Sequence, residues 1–412
     1  MTAYVCRFCA ASLQHSFCDL GMSPLSNAYL TAEQLGRAER FYPLHAYVCE
    51  RCWLVQLPEH ETPEHIFAQD YAYFSCYSDS WLAHCRAYTE QIAVRFGLGT
   101  ASQVVEIASN DGYLLQYFKE RGVSVLGIEP AANVAAVAEK KGIPTRVQFF
   151  GRDTAQALAN NSLKADLLLG NNVLAHVPDL NDFVSGMKIL LKSDGVITLE
   201  FPHLLRLMRG NQFDTIYHEH YSYFSFTTVE RVFAAHGLTL FDVQELPTHG
   251  GSLRVFGRHA ENPIPAVQGA VAALRNVETE AGLNGLGAYA AFAEQVKEAK
   301  FQLLEFLIAA KRAGKRVWSY GAPAKGNTLL NYCGIRSDLV EGTVDRSPYK
   351  QGRLLPGTHI PIYAPEKLNE VRPDYVLILP WNLKEEIIHW GAHIRGWGGR
   401  FVVPIPRVQV LS

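Results

Sequence analysis

At 412 residues, with 48% hydrophobic and 19% charged side chains, the chain has the composition of a globular protein of about three domains. A formal net charge of -2 and the lack of any dense Lys/Arg run exclude a long phosphate-tracking surface, so nucleic acid is not expected as a partner. The opening MTAYVCRFCA has no basic segment followed by an apolar run, and no stretch of about 18 consecutive apolar residues occurs, so a cytoplasmic protein without a membrane partner is expected.

The first elements in the chain are two cysteine knuckles. CRFC places Cys6 and Cys9 two residues apart, and CERC does the same with Cys49 and Cys52, 39 residues further on. Paired knuckles supply four soft thiolates at tetrahedral reach, which suits a closed structural zinc site, and a long loop between them closes at slowly growing entropic cost. Four thiolates leave no open coordination position, so the metal is expected to fold the protein and not to catalyse. Free buried cysteines are the plainer reading, and redox chemistry would need a knuckle on a βαβ unit, which neither has. Cys18, Cys76, Cys85 and Cys333 are isolated and read as core or surface thiols.

From residue 101 the pattern changes to alternating strand and helix. Val104 to Ala108 reads as a strand and Ser109 to Gly112 as a polar turn. Leu114, Leu115 and Phe118 are spaced as on a helix, and a second apolar run ends at Glu129. ADLLLG and GVITLEF continue the alternation, which predicts a parallel sheet covered on both faces. Leu238 to Leu246 and Gly251 to Arg258 read as two late strands forming an antiparallel edge of that sheet. Ligands of such sheets bind beyond the carboxyl ends of the strands, so SNDG should face a ligand and Glu129 should accept the hydroxyls of a ribose. The dinucleotide fingerprint G-x-G-x-x-G is absent, against a nicotinamide cofactor.

FDTIYHEHYSYFS, residues 213–225, gathers two histidines, a glutamate and three tyrosines. On an extended segment Tyr217 and Glu219 would share one face and His218 and His220 the other, so a bend is needed to bring His220 to its neighbours. The helical zinc signature needs histidines four apart, and these are two apart. A metal site, a structural hydrogen-bond network and a catalytic cluster all remain open on the residues alone.

Val267 to Arg312 has helical spacing and stops at Gly314, predicting a helical connector. KRVWSYGAPAKGNTLLNYCGI then reads as strand, glycine-rich turn and helix, opening a second α/β unit. Backbone N–H groups at the helix start, with Lys325 and Gly326, form a candidate anion cradle for a diphosphate, although the P-loop pattern is not met. An ordinary crossover of a second sheet is the plainer reading.

The motifs VVEIASNDGYLL, GNNVLAHVPDL, FDTIYHEHYSYFS and YGAPAKGNTLLNY, with the two knuckles, occur in the order found in sugar C-methyltransferases that act on nucleotide-linked keto-deoxysugars, over nearly the whole chain. The resemblance implies an α/β chain in four parts: a zinc-binding domain over residues 1–75; a class I, Rossmann-like S-adenosylmethionine domain over 76–262; a helical connector over 263–313; and a second Rossmann-like α/β domain on the nucleotide-sugar side over 314–412. It implies S-adenosylmethionine and structural zinc as cofactors, a dTDP-linked keto sugar as substrate, and a monomer. The usual glycine-rich methyltransferase turn is reduced here to EIASNDG. By the same resemblance Glu106, Ser109, Asn110 and Gly112 line the methionine side, Glu129 holds the ribose, and Asn171 follows the fourth strand. Tyr71, His176, Tyr217, Glu219 and His220 correspond to residues at the reacting centre, while Asn327 and Lys350 are candidate sugar-nucleotide contacts beside Lys325 and Gly326.

Carbon attacks a methyl group only after a proton beside a carbonyl is removed, which calls for a base of near-neutral pKa and a donor to the forming enolate oxygen. That chemistry assigns His220 as the base, with Glu219 to orient an imidazole and Tyr217 as hydroxyl donor. An O-methyltransferase with His220 deprotonating a hydroxyl, and a non-catalytic zinc-nucleated nucleotide-binding module, are the rival readings.

Overall fold

The computed structural model describes residues 4–66 and 74–411. β1 (His15–Ser23), β2 (Tyr42–Val48) and β3 (Val55–Gln56) form an antiparallel front sheet. β4 (Gln103–Ile107), β5 (Ser124–Ile128), β6 (Thr145–Arg146), β7 (Ala165–Asn171) and β8 (Leu191–Pro202) are the parallel strands of the middle. The two-residue β9 (Ser222–Tyr223) leaves this region and completes the front sheet, with Val55 opposite Tyr223 and Gln56 opposite Ser222. β10 (Leu238–Leu246) and β11 (Ser252–His259) return to the middle sheet, whose order is β10-β11-β8-β7-β4-β5-β6.

The late pair lies at the edge, as expected, but only β11 runs against the other strands: it is antiparallel both to β8 and to β10. Chain direction reverses its crossover between β4 and β7, so the carboxyl ends of these two strands open the crevice where such sheets bind ligands.

Near-continuous apolar sequence explains why β4 and β7 are central: both faces must be covered. Val105, Ile107 and Leu168 point into one core, shared with the zinc-site cysteines and the helices Leu180–Leu190 and Phe226–Ala235. Val104, Leu167 and Leu169 point into the other, beneath the helix Asp79–Arg95 and Tyr113 to Phe118. Helix starts follow local chemistry: Ser78, Asp179 and Ser225 each accept a backbone N–H of the first turn, a cap worth about 1 kcal/mol.

β12 (Val317–Tyr320), β13 (Thr343–Val344), β14 (Ile362–Tyr363), β15 (Tyr375–Ile378), β16 (Arg400–Val403) and β17 (Gln409–Leu411) form the last sheet, in the order β14-β13-β12-β15-β16-β17. All its neighbours are parallel except β16 and β17. The region expected as a connector holds two helices, Gly269–Glu280 and Leu286–Arg312. The second does more than connect. Its Tyr289, Phe292, Val296, Leu303 and Leu307 are buried in one core with β1, β2 and the last sheet, and the Phe17 and Phe292 rings stack with centroids 4.8 Å apart. A buried phenylalanine contributes about 2 to 3 kcal/mol, so this helix welds front and rear across the middle.

Candidate active site

The four sulfurs of Cys6, Cys9, Cys49 and Cys52 all lie within 4.8 Å of one another, with the Cys6–Cys52 and Cys9–Cys49 pairs at 3.5 Å. A tetrahedral zinc with Zn–S bonds of ~2.3 Å places its sulfurs about 3.8 Å apart, so the donor set fits a closed site. Cys6 is lowered to about 4 by the hydrogen bond from Cys52, while burial raises Cys49 to about 11; four thiols this close ionise together only around a cation. The Gln56 amide donates to Cys6 Sγ at 3.2 Å and its oxygen accepts the Arg7 N–H at 2.9 Å. Gln56 is also the β3 residue opposite Ser222, so the metal knuckles and the segment carrying His220 share one side chain's support.

At the crevice, the turn after β4 is built from left-handed residues: Ala108, Asn110 and Gly112 have φ of 56°, 49° and 74°. Gly112 is required for a second reason, since a Cβ there would overlap Ile143 Cδ1 and lie 3.3 Å from Ala138 Cβ. The carboxyl groups of Glu106, Asp111 and Glu129, the last just beyond β5, crowd together at this turn. Burial pushes Glu106 well above the usual carboxylate range, opposed by the Tyr113 hydroxyl, and neither of its oxygens makes a hydrogen bond of ordinary geometry. Burial also raises Glu129 to about 7, although its oxygens accept N–H groups of Asn110 (3.0 Å) and Ala131 (2.8 Å). Ser109 Oγ, Asp111 Oδ1 and, at the end of β7, Asn171 Nδ2 are buried with no hydrogen-bond partner among the described residues. The Asn110 side chain accepts the Ser75 N–H at 2.9 Å, tying the turn to the segment that enters the middle domain. A pocket with excess acid and unmatched donors and acceptors fits a ligand carrying cationic and hydroxyl groups, as S-adenosylmethionine does.

The histidine cluster is set by a turn. The Tyr217 carbonyl accepts the His220 N–H at 2.8 Å, which folds residues 217–220 back and places the Tyr217 hydroxyl 2.8 Å from His220 Nε2. His220 Nδ1 lies 2.9 Å from the Thr215 carbonyl. A carbonyl only accepts, so Nδ1 carries the proton and Nε2 presents its lone pair to the Tyr217 O–H. His176, just beyond β7, stands with its ring 4.7 Å from that of His220. Burial lowers His176 to about 4, and burial with the neighbouring His176 holds His220 well below the usual histidine range, so both are neutral at neutral pH.

The bend expected here is present, and it sends His218 toward the front sheet, buried, with Nε2 3.3 Å from the Pro43 carbonyl. The groups facing the His220 ring nitrogens are the Thr215 carbonyl and the Tyr217 hydroxyl, while Glu219 accepts from Asn27 Nδ2 at 2.5 Å through Oε1 and holds the His176 imidazole through its backbone. Tyr71 lies outside the described residues.

In the last domain the structure divides the four expected contacts. Asn327 is 1% exposed, with Nδ2 on the Ser26 carbonyl at 2.6 Å, so it docks the rear helix Ala324–Cys333 to the front domain. Gly326 is needed for packing, because a Cβ there would lie 2.9 Å from Leu379 Cβ. Lys350 donates to the Ala322 carbonyl at 2.9 Å beneath the Tyr29 ring. Lys325 is drawn inward. It hydrogen-bonds Asn382 Oδ1 at 2.8 Å and sits 4.6 Å from the Trp381 ring centre, and its charge is felt at His220, far from an open phosphate cradle. Sequence reasoning missed Asn27, Asp214 and His249; the one local signal for His249 was its place before two glycines in THGG.

A doubly wound sheet whose first turn seeks a cation, next to neutral imidazoles and behind a closed thiolate zinc site, places the chain among the S-adenosylmethionine-dependent methyltransferases. Residues 79–243 match the family described as methyltransferase domain, residues 6–67 one described as zinc binding, and residues 247–406 the C-methyltransferase C-terminal domain. C-methyltransferase NovU of Streptomyces niveus is 36% identical over 407 residues, 99% of this chain and 96% of that protein. The chain belongs to this C-methyltransferase family and is an S-adenosylmethionine-dependent enzyme that methylates carbon, with zinc held by its front cysteines. A ubiquinone biosynthesis O-methyltransferase of Bartonella quintana is 30% identical over 96 residues, 23% of this chain and 39% of that protein. The structure of an S-adenosylmethionine-dependent methyltransferase from Clostridium acetobutylicum aligns with 45% of this chain and 93% of its own, at 13% identity and a TM-score of 0.36. Among the described residues no helix is long and apolar enough to cross a membrane.

Proposed function

We propose that the enzyme methylates the carbon beside the carbonyl of a dTDP-linked keto-deoxysugar, with His220 as the base. The observation that carries this reading is the tautomer: the Thr215 carbonyl holds the proton on Nδ1 and leaves a lone pair on Nε2 in a half-buried position at the crevice. The Tyr217 hydroxyl occupies that lone pair in the free protein. Displacement of the Tyr217 hydroxyl by the substrate frees Nε2 and leaves its O–H as a donor for an incoming carbonyl oxygen.

Burial makes His220 a weak base toward water, and this favours the reaction: the imidazolium is stabilised chiefly when negative charge develops on the substrate beside it, so the stabilisation belongs to the transition state. Glu106, Ser109 and Asn171 would hold the methionine end of the donor and Glu129 its ribose. When bound, the donor supplies a methyl group on a sulfonium. His176 would border that methyl, since it lies just beyond β7, which ends at Asn171, and faces His220.

The test is incubation with a panel of dTDP-4-keto sugars in deuterated water without methyl donor. Deuterium should enter at the carbon beside the carbonyl, and His220→Asn should abolish this while S-adenosylmethionine still binds. Methylation of an oxygen, or wash-in that survives the substitution, would overturn the reading.

A further inference from the structure

Around Trp381, which bonds Asp214 on the segment carrying His220, stand two groups the reading above does not use. Lys325 is half-buried and its ammonium carries three N–H donors, of which one is met, by Asn382 Oδ1 at 2.8 Å. Among the described residues it has no ion pair within bonding distance. Asp214 supplies counter-charge from farther off and is itself committed, its Oδ2 accepting the Trp381 indole N–H at 2.7 Å. Trp381 thus carries Asp214 on its edge and Lys325 over its face, which fixes the ammonium without satisfying it. One turn along the same helix, Thr328 Oγ1 donates to the Ile216 carbonyl at 3.0 Å, so this helix face is seated directly on the segment that carries His220.

His249 is the second group. Its backbone is left-handed, φ 55°, a strained conformation for a residue with a Cβ. The turn that holds it is clamped from two sides: Trp81 meets its ring edge-on at 5.1 Å, and a Cβ on Gly250 would lie 2.6 Å from Trp381 Cη2. Neither imidazole nitrogen makes a hydrogen bond among the described residues, and Nδ1 is fully buried. Strain and unmet polar atoms on a rigid turn are tolerated where a ligand completes them. Trp381 links the groups: its ring lies 4.6 Å from the Lys325 ammonium and against Gly250 next to His249, and its indole N–H bonds Asp214 on the segment that carries His220.

We propose that Lys325, with His249 beside it, receives the negative charge on the acceptor's carbonyl oxygen, so that Lys325 is a catalytic residue and not a diphosphate contact. As the C–H bond breaks, its proton goes to His220 Nε2 and its electron pair forms the C=C bond. The carbonyl π pair moves onto oxygen, where the ammonium N–H and the imidazole N–H donate. Nothing is oxidised and no further reactant is needed. This rests on the enolate reading of the same site.

Lys325→Met, Lys325→Arg and His249→Ala are compared with the wild type for dTDP affinity by calorimetry and for deuterium wash-in at saturating dTDP-4-keto sugar, with S-adenosylmethionine binding as the control for folding. Loss of one such donor costs about 100- to 1,000-fold in rate. Lys325→Met should slow wash-in by that order with dTDP affinity unaltered, Lys325→Arg should recover part of the rate, and His249→Ala should slow it less. Weakened dTDP binding with an unchanged wash-in rate would make Lys325 a phosphate contact and overturn the assignment, as would no effect on either. Absence of wash-in in the wild type with every keto sugar would instead overturn the underlying reading.

Discussion

Replacing Gly112 with alanine separates two reasons for a glycine in the turn after β4. The backbone there is left-handed, with φ of 74°, which costs an L-residue about 1 to 2 kcal/mol. The added Cβ also overlaps Ile143 Cδ1 and approaches Ala138 Cβ to 3.3 Å, and overpacking of that kind costs about 1 to 3 kcal/mol. The expected loss is therefore about 2 to 5 kcal/mol in the absence of any ligand. Ile143→Val removes the clashing methyl and costs about 1 kcal/mol alone. In the Gly112→Ala background it should return part of the steric loss, a coupling of about 1 kcal/mol or more, while the left-handed part remains. Hydrogen exchange of the β4 and β5 amides reads this domain without assuming that the whole chain unfolds as one unit. If Gly112→Ala leaves that exchange unchanged and weakens only S-adenosylmethionine binding, the argument is refuted, and the glycine serves cofactor clearance alone.

Removing zinc, by chelation or by Cys49→Ser, should release the metal and raise hydrogen exchange at Ser222 and Tyr223, because these pair with β3 beside Gln56. Metal loss with unaltered exchange at β9 would contradict that link. Burial raises Glu129 to about 7, and the proposed ribose contact needs its carboxylate form, so S-adenosylmethionine affinity should fall as pH drops below about 7, by at most about tenfold per unit. Calorimetry between pH 6 and 8 checks this, and Glu129→Gln should flatten the dependence. His220 is held below the usual histidine range by burial, so it stays neutral to lower pH than free histidine and loses its lone pair only on further acidification. With both substrates saturating, the acid limb of the pH–rate profile should lie below about 6.5, and a limb at or above that value would count against His220 as the base.

The knuckles, the alternation of strand and helix and the acidic turn were legible because each depends on covalent spacing. Two residues between cysteines already set the reach of a thiolate pair, and an apolar run of strand length already marks a strand covered on both faces. The histidine segment was legible in composition but not in direction. Alternation assumes an extended chain, and the bend from Tyr217 to His220 turned His218 and His220 to opposite sides. Asn327 was a candidate contact by resemblance alone, and its amide closes on Ser26, 301 residues away.

The sequence by itself determined which elements form and which donors sit on them: four thiolates in two knuckles, a parallel sheet with an acidic first turn, and a central segment rich in imidazole and phenol. Tertiary structure alone decided that β9 joins the front sheet, that Thr215 fixes the tautomer of His220, that Lys325 meets Asn382 and that His249 meets Trp81. The physical reason is distance along the chain. Spacing within a few residues is enforced by bond geometry, whereas pairings across hundreds of residues are selected by packing of whole surfaces, and no short motif records them.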